Sequence, residues 1–586
     1  MINRLFLGPV DENFDFQMDV AAGPWCFIGR ETTHPGWEDL DFVEPFDTPD
    51  KLVDADRMAA ALVDTLAGNW AERLNTLHKI DRPVAFWYRY LLLWLSLGTT
   101  ALWARWRNFE ELVRRHGQKS LTVYVATDLG RREFADLTDF MQSLNFDPIV
   151  QFEIDSMIAR SLAPPDWNLV ESTSPLVHRT SPSAPIRGDE TGSPVAVRMQ
   201  KIIPRLPFDH LPGIRVAKLP LSLFVAMLPR SRVELPDYRP SADKLADFSA
   251  DFLALLDSVL TNMVPDTIGG ANFCELDRVA SSIRYFPGRL YIANTRSVID
   301  RQRLIVAHAL IAGERLVSIQ HGGWDGTGGT IPWSRPTYAP DHAHLTWGWE
   351  CQADLPVRGI PYLAPALAAF RNQHRQIRRE LIFVGARIAV HGMRFDCVPR
   401  PREVIAYRKQ KVRFFKELNP EIMSDTIYRP KPQGLSDLED EAYVLRHIPD
   451  LPILAGDLNA RMTSCRLVVL DHPGTALHFA LAANIPVVCF WNWPDWALCK
   501  EAQPYFEALH EAGVLYTDAE AAAEHINSTW EDIPRWWSSR PVQGAVVAWR
   551  QRYARTGPFA RLRLFFTVWK LNRLEDYNAA ASASLA

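Results

Sequence analysis

The sequence lacks most of the features that announce a function class. Seven cysteines are scattered through 586 residues with no C-x-x-C pair, so neither a disulfide framework nor a zinc site of the usual spacing is encoded. A reduced, cytosolic protein is expected. No H-E-x-x-H occurs, and no glycine-rich run ends in Gly-Lys-Ser/Thr, which removes the metalloprotease and P-loop signatures. Basic residues are not in excess: 64 Lys and Arg face 69 Asp and Glu, a net charge of -5. Nucleic-acid binding would need a positive field that is missing here. The N-terminus carries Asp11, Glu12, Asp15 and Asp19 in place of the basic start and apolar run of a secretory signal. The uninterrupted apolar stretch Tyr90 to Trp103 is about 14 residues, against roughly 20 for a spanning helix. Arg89, Arg105 and Arg107 bracket it. It reads as a buried helix, with an interfacial or partner-contacting helix as the alternative.

What is present is an ordinary globular balance, 47% apolar and 23% charged, in a chain too long for one core. Residues 50–80 place Met58, Leu62, Leu66 and Trp70 on one helical face. Leu121 to Ala126 reads as a strand, followed by a helix over 131–144. The span 160–240 holds thirteen of the 42 prolines and is expected to be an irregular insertion. Helices are then expected over 241–263, 298–312 and 368–379. Strands are expected at 289–293 and 315–320. Strand, helix, strand at this spacing implies a parallel sheet. A second α/β series runs from 380 to 490, with strands at 380–385, 425–429, 466–470 and 486–490. The expected organisation is an N-terminal α/β domain (1–375), a C-terminal α/β domain (376–540) and a helical tail (541–586), with two sheets facing across a cleft.

In open parallel sheets ligands sit at the carboxyl ends of strands. Two loops there carry chemistry. Asp471-His472-Pro473-Gly474-Thr475 follows the strand 466–470 and precedes a helix. Its glycine permits close approach, Thr475 can cap the helix, and the first-turn amides suit a phosphate. His472 can donate to phosphate or move a proton. The plain alternative is a turn with a structural cap. Gln320-His321-Gly322-Gly323-Trp324-Asp325-Gly326-Thr327-Gly328-Gly329 follows the strand 315–320. His321 and Asp325 there suit acid/base or acceptor-binding roles; the alternative is a flexible glycine turn. Arg429 and Lys431 end a strand of the second half, and Asn294 and Arg296 follow the strand 289–293. Each pair can face the cleft. Asp39-Leu40-Asp41 and Asp54-Ala55-Asp56 have D-x-D spacing but end no strand, so no metal site is assigned.

Gly23-Pro24-Trp25-Cys26, the aromatic helix at 86–106, Gln320-His321-Gly322-Gly323, Leu345-Thr346-Trp347-Gly348-Trp349 and Asp471-His472-Pro473-Gly474-Thr475 occur in that order. Together they resemble a bacterial family of transferases encoded with O-antigen and other surface-carbohydrate genes, over about residues 1–540. The resemblance implies an α/β GT-B glycosyltransferase, two Rossmann-like halves with acceptor on the N-terminal half and nucleotide-sugar on the C-terminal half. His472-Pro473 is also similar to the His-Pro pair of sialyltransferases and Kdo transferases, which implies a CMP-sugar donor. The sequence departs from the family at Trp324-Asp325, where Gly-Tyr is more usual, and in the proline-rich insertion.

These readings make His321 and Asp325 the expected catalytic pair. Arg429, Lys431, Asp471, His472, Pro473, Gly474 and Thr475 are the expected donor site; Asn294, Arg296, Gln320, Gly322 and Gly323 are the expected acceptor site. No metal and no cofactor are expected. The expected partners are a nucleotide-sugar and a surface-glycan acceptor, with weak peripheral membrane contact at most. The expected location is the cytoplasm, at the inner face of the inner membrane where the acceptor is lipid-linked. A glycerol- or ribitol-phosphate transferase, a nucleotide-sugar epimerase and a non-catalytic scaffold stay open as alternatives.

Overall fold

The computed structural model describes residues 3–127, 133–172, 245–288, 290–293, 296–339, 342–352, 355–373, 378–386, 395, 403–431, 438–492 and 496–573. The first 172 residues build a parallel sheet of their own. β1 (Arg4–Phe6) lies between β2 (Val20–Ala21) and β3 (Thr122–Ala126), and β4 (Asn168–Ser172) pairs with β3. Two long helices separate β2 from β3. In α1 (Pro49–His78), Thr48 caps the first turn through Lys51 N and Pro49 supplies the preset φ of a first helical residue. In α2 (Val84–His116), Trp87, Trp94 and Trp106 are fully buried, and Trp94 meets Trp70 of α1 edge-on at 4.8 Å. The aromatic stretch is therefore core. Among the described residues no helix is long and apolar enough to cross a membrane.

The irregular span begins later than expected. α3 (Leu137–Phe146) and α4 (Pro148–Leu162) start on the acidic caps Asp136 and Asp147, and β4 follows in register with β3. Pro164 and Pro165 sit in the connection between α4 and β4, where they interrupt no element. Residues 173–244, most of the proline-rich stretch, lie outside the described residues. The helix expected over 241–263 is α5 (Ala250–Asn262), capped by Ser249.

A second sheet follows in the order β5 (Leu290–Ile292), β6 (Arg315–Ile319), β7 (His342–Thr346), β9 (Leu355–Pro361), β8 (Cys351–Gln352). It is parallel except at the β8–β9 edge. The helix expected over 368–379 is the shorter α8 (Pro365–Arg371); by Arg378 the backbone is already paired with Ser464. α6 (Ala271–Ser281) and α7 (Asp300–Ile311) pack together beside α2.

The third sheet is wholly parallel: β11 (Thr426–Arg429), β10 (Leu381–Val384), β12 (Leu467–Leu470), β13 (Val487–Phe490), β14 (Leu515–Tyr516). β10, β12 and β13 are buried at every residue, as a sheet covered on both faces requires. α9 (Glu403–Glu417), α10 (Asp440–His447), α11 (Thr475–Ala482), α12 (Gln503–Glu511) and α13 (Ala519–Thr529) complete it.

The α/β class with parallel sheets is as the sequence reading has it, but among the described residues the sheets number three where two were expected. β1 to β4 close on α2 and α4, and β5 opens a fresh order. The loops after β6 and β12, one from the second sheet and one from the third, are in contact. The chain then returns across them. α14 (Arg540–Tyr553) packs on α11 and α12. Arg555 N donates to Trp347 O, Ala364 N donates to Arg555 O, and in α15 (Ala560–Arg573) the carbonyl of Leu571 accepts from Arg315.

Candidate active site

β12 ends at Leu470, and the next side chain, Asp471, turns inward to 1% exposure. Its Oδ1 accepts from Ala386 N at 3.1 Å and from His472 Nδ1 at 2.8 Å. Its Oδ2 accepts from the Tyr407 hydroxyl and lies 3.5 Å from Lys411 Nζ. Burial opposes ionisation, but Lys411, His472 and Tyr407 outweigh it and hold the carboxyl below its usual range. Lys411 is fully buried and bonds Asp440 at 2.6 Å; Tyr428 donates to the same Asp440 oxygen at 2.7 Å. An ionised Asp471 thus fixes the imidazole of His472 through Nδ1 and leaves Nε2 to face the loop.

The phosphate-type geometry lies beside it. Gly474 is the N-cap of α11 and has no side chain to bond the first-turn amides. A Cβ on Gly474 would lie 2.6 Å from His472 Nε2, so glycine is what lets the histidine lie against the helix start. Pro473 is buried behind them. Thr475 was expected to be the cap and is not: it is the first helical residue, and its Oγ1 accepts from Gly323 N at 3.1 Å. The threonine therefore ties the β12 loop to the glycine loop.

The glycine loop is held on every side. Gly322 and Gly323 lie against Thr475, His478 and the Gly474 carbonyl. Gly329 N donates to Ala497 O and Cys499 N to Thr327 O, which joins the loop to the segment after β13. Gln320 is spent internally. Its amide donates to the carbonyls of Gly322 and Asp325, and its oxygen accepts from Trp347 N and Trp349 Nε1. It shapes the loop and offers nothing to an acceptor.

Asp325 also departs from its expected role. It is 2% exposed, and its carboxylate accepts from Arg296 at 3.1 Å, Ser334 Oγ at 2.8 Å and His321 N at 3.3 Å. Burial opposes ionisation, yet Arg296, His344, Ser334 and the His321 amide keep the group below its usual range. A carboxylate so enclosed anchors the loop. Arg296 is its counter-ion, with little surface of its own. His321 is left exposed at the mouth. Partial burial and then Arg296 lower its pKa, with Asp325 opposing, so the ring is neutral near pH 7 and fit to take a proton. Arg429 is half-buried and Lys431 exposed at the end of β11, two strands from β12; neither touches the dyad. Asn294 lies outside the described residues.

Several residues of the site escape a motif-based reading. Lys411, Asp440, Tyr407 and Tyr428 brace Asp471, and His478 lies under both loops between Trp347 and Trp549. One signal was available: Arg408 and Lys411 fall on the apolar stripe of α9 at the spacing of Val404 and Phe415, and a cation in a core stripe needs a buried partner.

Residues 3–563 match the family model described as "LIC12162 family transferase". No curated protein matches the chain. Among solved structures, the chain is similar to a Thermobaculum terrenum O-GlcNAc transferase mutant, with 12% identity and a TM-score of 0.28 over 57% of this chain and 61% of that one. It is also similar to WaaG, a glycosyltransferase involved in lipopolysaccharide biosynthesis, with 12% identity and a TM-score of 0.23 over 57% of this chain and 85% of that one. Superposition this loose leaves the chemistry to be argued from the site's own residues.

Proposed function

The chain belongs to the LIC12162 family of transferases, and on that premise we propose that it moves a glycosyl group from a nucleotide donor to a bacterial surface-glycan acceptor. One observation carries the reading: the Asp471–His472 pair and the uncapped start of α11 meet the glycine loop across the junction of two parallel sheets. The donor phosphate would sit against the amides of Thr475 and Ala476. As the bond from the anomeric carbon to the phosphate oxygen breaks, charge gathers on the leaving phosphate. The helix start would stabilise it there, joined by His472, which donates from Nε2 when its imidazole carries both protons. These groups would do the work of a divalent ion, so the proposed reaction needs none. His321 would accept the proton of the acceptor hydroxyl. Arg429 and Lys431 would meet the outer part of the nucleotide. The His472-Pro473 pair favours a CMP-sugar, of the Kdo or nonulosonate kind, and a lipid-linked acceptor would place the reaction at the cytoplasmic face of the inner membrane.

The test is a thermal-shift screen against CMP, CDP, UDP, GDP and dTDP. A nucleotide at a hundred times its Kd stabilises by about 2.7 kcal/mol. The reading expects a clear rise in melting temperature with one of them, CMP first. No rise with any nucleotide would count against it, and transfer of an alditol phosphate in place of a sugar would reassign the reaction.

A further inference from the structure

The last described helix presents two different faces. Leu564 and Leu571 of α15 are buried, and the Leu571 carbonyl is bonded by Arg315. On the outer side, Phe559 is 75% exposed and Phe566 49% exposed, although large aromatics are normally covered. Phe559 is the residue at which the helix starts, since its carbonyl accepts from Arg563 N. Within α15, Arg563, Phe566 and Lys570 fall in one line at helical spacing, about 11 Å long, and Phe559 stands just before its first turn. Arg563, Phe566 and Lys570 are all exposed. Among the described residues no ion pair engages Arg563 or Lys570.

The sequence leading through this line is basic: residues 533–574 contain nine Lys and Arg and no Asp or Glu, ahead of Glu575 and Asp576, in a chain whose net charge is -5. A stripe of aromatics and cations in a basic stretch fits an apolar layer topped by anions. We propose that the Phe559–Lys570 face of α15 docks on an anionic lipid bilayer surface. The two rings enter the headgroup–acyl boundary while Arg563 and Lys570 stay at the phosphates. This stands independently of the glycosyl reading, since no residue of the stripe belongs to the site.

The experiment is co-sedimentation of the full chain with vesicles of phosphatidylcholine alone and of equal parts phosphatidylcholine and phosphatidylglycerol, at low and high salt. The proposal expects binding to the anionic vesicles that weakens as salt rises. Phe559→Ser with Phe566→Ser should lower partitioning by about tenfold or more. Arg563→Gln with Lys570→Gln should lower it by about 25-fold on anionic vesicles, at about fivefold per cation. Melting temperatures measured beside each variant show whether it is folded; the charge pair is exposed and guards against misfolding of the aromatic pair. Absence of binding to anionic vesicles, or binding that the folded variants retain, would overturn the proposal. A dimer in sedimentation velocity that the Phe pair abolishes, without vesicle binding, would assign the face to a second copy and overturn it equally.

Discussion

His478 lies under the two loops at 1% exposure, with its Nδ1 towards Gly474 O at 3.4 Å. Burial lowers its pKa to about 4, well under the unfolded value. The unfolded chain therefore binds the extra proton between these limits. Stability contributed by a neutral His478 is complete above about pH 6.5 and is lost as pH falls towards 4, by about 3 kcal/mol. Denaturant unfolding at pH 7 and pH 4 should show that loss, and His478→Leu should reduce the pH dependence by about that amount. An unchanged pH dependence in the folded variant would contradict the assignment. Lys411 gives a second prediction at this scale. Its ammonium stands between Asp440 and Asp471, so Lys411→Met leaves two buried carboxylates without their cation. A cost of about 3–5 kcal/mol is expected in denaturant unfolding. Lys411→Met combined with Asp440→Leu should recover part of it, because fewer charges then stay unpaired. Asp471 and His472 were legible from a strand-loop-helix context that spans only a few residues. Lys411 was not, because its partners come from α10 and from beyond β12, and spacing within α9 names no partner.

At the scale of elements, the site is a contact between two turns. Gly323 shows how close: a Cβ there would lie 2.5 Å from His478 Nδ1 and 3.1 Å from the Gly474 carbonyl. Gly323→Ala must push the glycine loop away from α11 and break the bond from Gly323 N to Thr475 Oγ1. A lower melting temperature and slower transfer are expected together, read by thermal unfolding and by initial rate; wild-type values for both would show that the turns are not coupled. Within α2, Trp94→Ala should cost about 3–5 kcal/mol, measured by denaturant unfolding. α1 was legible from its apolar period and α2 from its uninterrupted apolar run, which the structure buries on every side. β7 and β9 were not, since His342-Ala343-His344-Leu345-Thr346 has no β-branched run and Leu355–Pro361 holds two prolines and a glycine. Their pairing with β6 and with each other makes them strands.

At the scale of the whole molecule, the glycine loop at the end of β6 is held by elements from outside its own sheet. Beyond its contacts with the third sheet's loops, the segment just after it is tied to the first layer: Ile331 N donates to Asp56 at 2.8 Å, and Arg335 pairs with Asp56 at 2.7 Å. Asp56, one member of a D-x-D considered for metal, is thus the buried carboxylate that joins α1 to this loop. Glu31 makes a second tie to the third sheet's domain, pairing with Arg408 at 2.6 Å. Local pattern shows that strands and helices alternate, but whether β1 to β4 join β5 to β9 is decided by pairings far apart in sequence, which the pattern does not contain. The same distance effect hid the ties of Asp325, whose partners Arg296 and Ser334 come from either side of its own loop. The proposed function rests most heavily on His472, held by Asp471 beside the start of α11. The direct measurement is the turnover of folded His472→Ala with the donor found in the nucleotide screen, its melting temperature recorded alongside. Loss of one preorganised donor predicts a fall of roughly 100-fold or more with the fold intact; near-wild-type turnover would contradict the account.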